Sequence, residues 1–281
     1  MEIKNLEGTS TEELVAVFNR SFSDYIVPFK LTVEQLESKI IAEDIKPELS
    51  LGVFESGKIV GFMLHGLRNN TAVPMVYNAG TGVIPEYRGK GLVGTMYEEL
   101  LPRLKVIGVK KMVLEVIQEN VPAVKAYEKT GYTVSRKLDC FSGKLDILKY
   151  NKDAIIQTVS EFQWNEFTPF WEVLPSWQNA VQSLENIKDL CTIAIAYVDD
   201  VPAGYVIFNA ESGKIHQFAV SPDYRRMGIG SSLFEWVNTA RKGQEVYVYN
   251  IDHDSASSLG FLQKIGLSEK VVQFEMSRDI Q

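Results

Sequence analysis

The chain has little of what disulfide scaffolds, metal centres and nucleic-acid binders are built from. Its two cysteines, Cys140 and Cys191, stand in different halves of 281 residues. That excludes a disulfide framework and predicts free thiols, the usual state in a reducing cytoplasm. Three histidines, His65, His216 and His253, are scattered. None has a second Cys or His at ligand spacing, so no metal site is expected. Basic residues number 29 against 36 acidic ones, for a net charge of -7. A chain of that sign is a poor polyanion binder, which argues against nucleic acid as the main partner. Any anion site must therefore be local. No apolar run approaches ~20 residues, so no membrane span is expected. The opening "MEIKNLEGTSTEELV" has no basic start followed by an apolar stretch, so no secretory leader is expected. These readings together predict a cytoplasmic protein.

What the chain does have is itself, twice. The 45% hydrophobic fraction can fill two cores, and the length suits two domains. "VIPEYRGKG" (83–91) aligns with "VSPDYRRMG" (220–228). Upstream, "VFESGKIVGF" (53–62) aligns with "AYVDDVPAGY" (196–205). Downstream, "AYEKTGY" (126–132) aligns with "FLQKIGL" (261–267). Three matches in one order indicate a duplicated domain. The expected division is 1–145 and 146–281, with "GKLDILKYNKD" (143–153) as the junction.

Each copy reads as an α/β (α+β) fold with a mixed sheet. Two Ser/Thr-capped amphipathic helices lead into a hairpin that turns at Ser56 and Gly57. A third strand, 73–84, follows. Leu92, Met96, Leu100 and Leu104 then recur at helical spacing, so a helix starts inside the glycine segment. Pro102 is expected to kink or end it. "KKMVLEVI" is a further strand, and Asn120 caps a helix that Gly131 closes. "NAGTG" (78–82) is glycine-rich for a strand, which predicts a bulge or a close approach.

The repeated phrase places glycines at the mouth of a helix, immediately after a strand. The first N–H groups of a helix have no internal partners and carry the positive end of its dipole, so they bind phosphate. Arg88 and Arg225 stand beside them as charged donors. Neither copy has the G-x-x-x-x-G-K-[ST] of a P-loop, and the glycines do not follow the first strand of a βαβ unit as a dinucleotide fingerprint would.

The segments "VIPEYRGKGLVG" and "VSPDYRRMGIG" resemble motif A of the GNAT superfamily of N-acetyltransferases, Arg/Gln-x-x-Gly-x-Gly/Ala. The likeness covers essentially the whole chain as two tandem domains. The second copy matches in full, whereas the first has Val93 at the last position. The resemblance implies acetyl-CoA as co-substrate and no metal. It assigns acetyl-CoA to Val83, Arg88, Gly89, Lys90, Gly91, Leu92, Val93, Gly94, Thr95 and Asn120 in the first copy. In the second it assigns Val220, Arg225, Arg226, Gly228, Ile229, Gly230 and Ser231.

"NVPAVKAY" (120–127) is similar to the family's Asn-x-x-Ala-x-x-x-Tyr helix, which makes Tyr127 the general acid toward the thiolate. The second copy has Ser255, Ser258 and Leu262 at those three places and has lost the candidate acid. Glu115, on the strand expected to splay from its neighbour, is the best carboxylate for a general base. Tyr25 and Asn78 are the candidates for the acceptor pocket, and His216 is a second, weaker candidate base. The expectation is an N-acetyltransferase acting on the primary amine of a small molecule or peptide, with the first domain catalytic. It would be a monomer or homodimer. A non-catalytic acetyl-CoA sensor, or transfer of another acyl group by the second domain, is the alternative.

Overall fold

The computed structural model describes residues 1–27, 30–69 and 73–280. It falls into two compact units, Met1–Ser135 with the chain end from Phe274, and Arg136–Gln273.

The first unit runs β1 (Glu2–Asn5), α1 (Thr11–Ser21), α2 (Val33–Ala42), β2 (Leu51–Glu55), β3 (Lys58–Arg68), β4 (Met75–Val83), α3 (Leu92–Val106), β5 (Lys111–Ile117), α4 (Val121–Lys129) and the start of β6 (Thr133–Gly143). Ser10 with Glu13, and Thr32 with Gln35, form reciprocal capping boxes at α1 and α2. Ser56 and Gly57 both take positive φ, which gives the β2–β3 hairpin the turn its strand twist requires.

Strand β4 is bulged. Leu64 pairs with Gly80 and His65 with Asn78, which leaves Ala79 unpaired. Asn78 fixes that irregularity. Its Oδ1 accepts from the Gly80 N–H at 3.0 Å, and its Nδ2 donates to Thr81 Oγ1 at 2.8 Å and to Tyr97 Oη at 2.9 Å. Strands β4 and β5 are parallel from Met75 and Lys111 to Asn78 and Leu114. Beyond the bulge they no longer pair, although they continue to Val83 and Ile117, so the two strands splay.

Helix α3 buries Leu92, Met96, Leu100 and Leu104, as the periodicity predicts. Pro102 does not end it; the helix continues to Val106. The carbonyl that loses its partner belongs to Glu98, which is exposed to water, while buried Leu100 and Leu104 on either side hold the helix to its core.

The second unit repeats the plan with β7 (Ile155–Val159), α5 (Trp164–Phe167), α6 (Val181–Asn186), β8 (Thr192–Val198), β9 (Val201–Phe208), β10 (Lys214–Val220), α7 (Ile229–Ala240), β11 (Val246–Asp252), α8 (Ala256–Lys264) and β12 (Ser268–Asp279). Strands β10 and β11 pair in parallel only at Lys214–Tyr247 and Ile215–Val248, then separate. Here the bulged residue is His216, because Ile215 pairs with Phe208 and Gln217 with Ile207. Leu233, Phe234 and Val237 of α7 pack into a core with Ala194, Val206 and Phe208.

The units differ from the contiguous halves 1–145 and 146–281. Strand β6, from the first half of the sequence, pairs with β11 in the second unit, from Leu138–Asp252 to Gly143–Val246. The chain end lies next to β5 in the first unit, where the Ile280 N–H donates to the Lys110 carbonyl at 2.8 Å. Each unit is completed by a strand from the other half of the sequence.

Candidate active site

In the first unit the turn Pro85–Tyr87 leads from β4 into the glycine loop. Gly91 is the N-cap residue of α3, in left-handed conformation at φ 76°, and no side chain caps the helix. A Cβ added at Gly89, Gly91 or Gly94 would meet nothing within 4 Å. The result is an open cradle of backbone N–H groups at the positive end of a helix, which suits a phosphate. Lys90 stands beside it with its ammonium 4.4 Å from the centre of the Tyr87 ring.

Arg88 lines the same loop and is held by a set of hydrogen bonds. Its Nη1 and Nη2 donate to the two oxygens of Asp24, both at 2.7 Å. Nη2 also donates to the Ser21 carbonyl at 2.8 Å, and Nε to the Val83 carbonyl at 3.1 Å. The guanidinium ties the segment after α1 to the end of β4. The Arg88 guanidinium holds the Asp24 carboxyl below its usual range.

A cleft of about 1090 Å³ runs from this loop to α4. Tyr25, Val83, Arg88 through Gly94, Asn120 and Tyr127 all line it. Asn120 Oδ1 caps α4 by accepting from the Ala123 N–H at 3.2 Å, and its Nδ2 donates to Tyr25 Oη at 3.3 Å. Tyr127 is buried, which pushes its hydroxyl up to about 12 against the lowering effect of a hydrogen bond with Thr81. Thr81 sits past the bulge on the splayed part of β4, so Tyr127 faces the gap between the strands.

Asn78, Thr95 and Glu115 lie outside the cleft lining. Asn78 is held inside the bulge, and Thr95 Oγ1 donates back to the Gly91 carbonyl at 3.4 Å. Glu115 is one residue beyond the last paired position of β5 and accepts from the Tyr77 hydroxyl at 2.7 Å. Its other oxygen is buried with no hydrogen-bond partner among the described residues. Burial pushes this carboxyl up to about 7; the Tyr77 hydrogen bond opposes the shift and the charges of Glu43 and Glu275 add to it.

Arg278, absent from the sequence-based set, also lines the cleft, and its Nη1 donates to the Thr130 carbonyl. It comes from β12, and no local pattern marks it.

The second unit builds the same loop with Gly228 at φ 82° and Arg226 at φ 64°. Arg225 repeats the pattern of Arg88: Nε donates to the Val220 carbonyl at 3.2 Å, Nη1 pairs with Glu172 at 2.6 Å, and Nη2 donates to the Phe170 carbonyl at 3.2 Å. This loop is not open on all sides. Asn151 donates to the Met227 carbonyl through Nδ2 at 3.0 Å, and a Cβ on Gly228 would lie 2.9 Å from the Asn151 nitrogen. A cleft of about 780 Å³ adjoins this loop and is lined by Arg225, Arg226 and Gly228 through Ser231. Leu262, fully buried, occupies the place of Tyr127. Volume has also moved across the cleft. Gly230 faces Phe261 at 3.1 Å from its Cβ position, where the first unit has Val93 and Ala126.

Residues 14–132 and 156–267 each match the acetyltransferase (GNAT) family. The chain belongs to that family and carries its domain twice. Among solved structures, a GCN5-related N-acetyltransferase from Sphaerobacter thermophilus superposes with a TM-score of 0.73 at 16% identity, covering 100% of this chain and 96% of that one. A tandem GNAT protein from the clavulanic acid biosynthesis pathway gives 0.72 at 11% identity, covering 100% and 98%. A mycothiol acetyltransferase of Catenulispora acidiphila is 28% identical over 129 residues, 45% of this chain and 41% of that protein. The chain spans less than half the length of the mycothiol acetyltransferases it matches.

Proposed function

We propose that the first unit moves an acetyl group from acetyl-CoA to a primary amine of a small molecule or peptide. The observation that carries this reading is one cleft joining the open helix N-terminus, the strand splay and the buried Tyr127 hydroxyl. The pyrophosphate fits the Gly89–Gly94 cradle, where the space a Cβ would fill is empty. Acetyl-CoA supplies a thioester carbonyl for the amine to attack. Tyr127 keeps its proton at neutral pH and serves as donor toward the departing sulfur. Glu115 is the carboxylate proposed to take the amine's proton, since its midpoint lies close to neutral pH. Glu115 lies outside the cleft lining, one residue past the last paired position of its strand.

Arg88 holds Asp24 and Ser21 at the rim, and Tyr25, tied to Asn120, forms part of the cleft wall. The second unit keeps the loop but lacks an acid at Leu262, so we assign it binding rather than turnover. A screen of amines for CoA release by the full chain tests the proposal. Release with at least one amine is expected, and acetyl-CoA binding without turnover on any amine would favour the sensor instead.

A further inference from the structure

The other arginines of the first unit, Arg20, Arg68, Arg88 and Arg103, each pair with a carboxylate. Arg278 has no carboxylate partner among the described residues. It lines the first cleft, donates through Nη1 to the Thr130 carbonyl at the end of α4, and lies across Gly131, where a Cβ would be 3.3 Å from its Nε. A guanidinium has five N–H donors in a fixed fork, so one carbonyl leaves most of that fork unused.

Lys125 and Lys129 add charge beside it. Both line the cleft, both are exposed, and neither has an ion pair among the described residues. Four residues apart on α4, they share one helix face, and Lys129 directly precedes the Thr130 that Arg278 holds. The acids of the lining are Asp24, which Arg88 holds, and Glu98 on α3. Three cations without partners thus gather at one end of a cleft, in a chain whose net charge is -7.

The second unit shows that the helix end does not need the arginine. Thr130 corresponds to Ile265, whose carbonyl accepts from the Asp146 backbone N–H at 2.8 Å. Gly131 corresponds to Gly266, whose Cβ position faces Asp146 and the Lys144 carbonyl. Lys125 corresponds to Gly260, and of the three cations only Lys129 has a counterpart, Lys264. There the backbone makes the cap, and an acid stands at the place of the arginine. The cationic set belongs to the first cleft and is not a requirement of the fold.

We infer that Arg278, Lys125 and Lys129 form a subsite for a phosphate monoester at the α4 end of the first cleft, separate from the glycine cradle. A carboxylate would be matched by one cation. A monoester carries a charge of about -1.5 to -2 at neutral pH and three acceptor oxygens, which suits a guanidinium fork with two ammonium groups. Two sources share this chemistry: the ribose 3′-phosphate of CoA, and a phosphate carried by the acceptor. The first source rests on the acetyl-CoA reading; direct binding of a phosphate-bearing amine does not.

Calorimetry on the full chain compares acetyl-CoA with acetyl-dephospho-CoA, which lacks only the 3′-phosphate, and O-phosphoethanolamine with ethanolamine. If the phosphate is that of CoA, acetyl-CoA should bind one site at least ~10-fold more tightly than the dephospho form, with no such preference in the second unit. If it is the acceptor's, the two CoA esters should bind alike and O-phosphoethanolamine should bind at least ~10-fold more tightly than ethanolamine. In either case Arg278→Gln should remove the preference and Arg278→Lys should keep part of it. Lys125→Gln with Lys129→Gln should also remove it, and these exposed positions leave the unfolding midpoint unchanged. A wild-type protein with neither preference overturns the inference, as does a preference that survives in both sets of variants. Absence of any acetyl-CoA binding would defeat the acetyl-transfer reading instead, and the O-phosphoethanolamine comparison would then decide this one alone.

Discussion

The Tyr77 hydroxyl donates to the Glu115 carboxylate at 2.7 Å across the start of the strand splay. That bond is the main opposition to the burial that raises Glu115 to about 7. If Glu115 takes the amine's proton, kcat/KM should rise with pH through a midpoint near 7. Tyr77→Phe removes a bond that favours the ionised form, so the midpoint should move upward. Glu115→Gln should abolish that limb. The pH–rate profiles of the three proteins decide it, and a limb that survives in Glu115→Gln would remove the role.

The same carboxyl makes a stability prediction of definite sign. Its folded value lies above the ordinary one of 4.5, so the folded state holds the proton longer than the unfolded chain. The stabilisation is complete below pH ~4.5 and is lost as pH rises toward 7. His65 acts in the other direction. Full burial lowers it to about 3, so its contribution is present above pH 6.5 and falls away under acid, with a slope of up to about 1.4 kcal/mol per pH unit. Urea unfolding of Glu115→Gln and His65→Leu across pH 4 to 8 should show each variant lacking its own slope.

Tyr127→Phe keeps the packing against Tyr132, whose ring centre is 5.9 Å away, and removes only the hydroxyl. Turnover should fall ~100-fold or more with acetyl-CoA affinity nearly unchanged. Unchanged turnover would move suspicion to the second unit.

Gly91 and Gly228 hold the same left-handed backbone but different surroundings. Gly91→Ala meets only the conformational penalty of about 1–2 kcal/mol. Gly228→Ala adds a clash with the Asn151 backbone, so it should lose more stability by denaturant unfolding. Equal losses would mean that Asn151 yields at no cost.

The exchange of volume between the two clefts predicts non-additive energetics. Gly230→Val alone should cost about 1–3 kcal/mol by driving a side chain into Phe261. Adding Phe261→Ala should recover part of that loss, and a double-mutant cycle measures the coupling.

Much of this protein is written in local patterns. Ser10 with Glu13 and Thr32 with Gln35 announce two helix starts, because capping is decided within four residues. The duplicated glycines at 91 and 228 mark two helix mouths, because little except glycine takes that backbone cheaply. The bulge at 78–80 follows from too many small residues in one strand. Other features depend on partners far along the chain. Arg88 is paired with Asp24, 64 residues earlier, a partner that no local pattern announces. Pro102 is harmless only because its orphaned carbonyl faces water. The placement of β6 and β12 and the arrival of Arg278 at the first cleft are tertiary facts. The sequence by itself determined the repeat, the elements and the loop chemistry, since these rest on short-range backbone geometry. Only the folded chain decided which charges are paired and which strands complete which sheet, since those depend on pairings between segments whose separation in sequence carries no local signal.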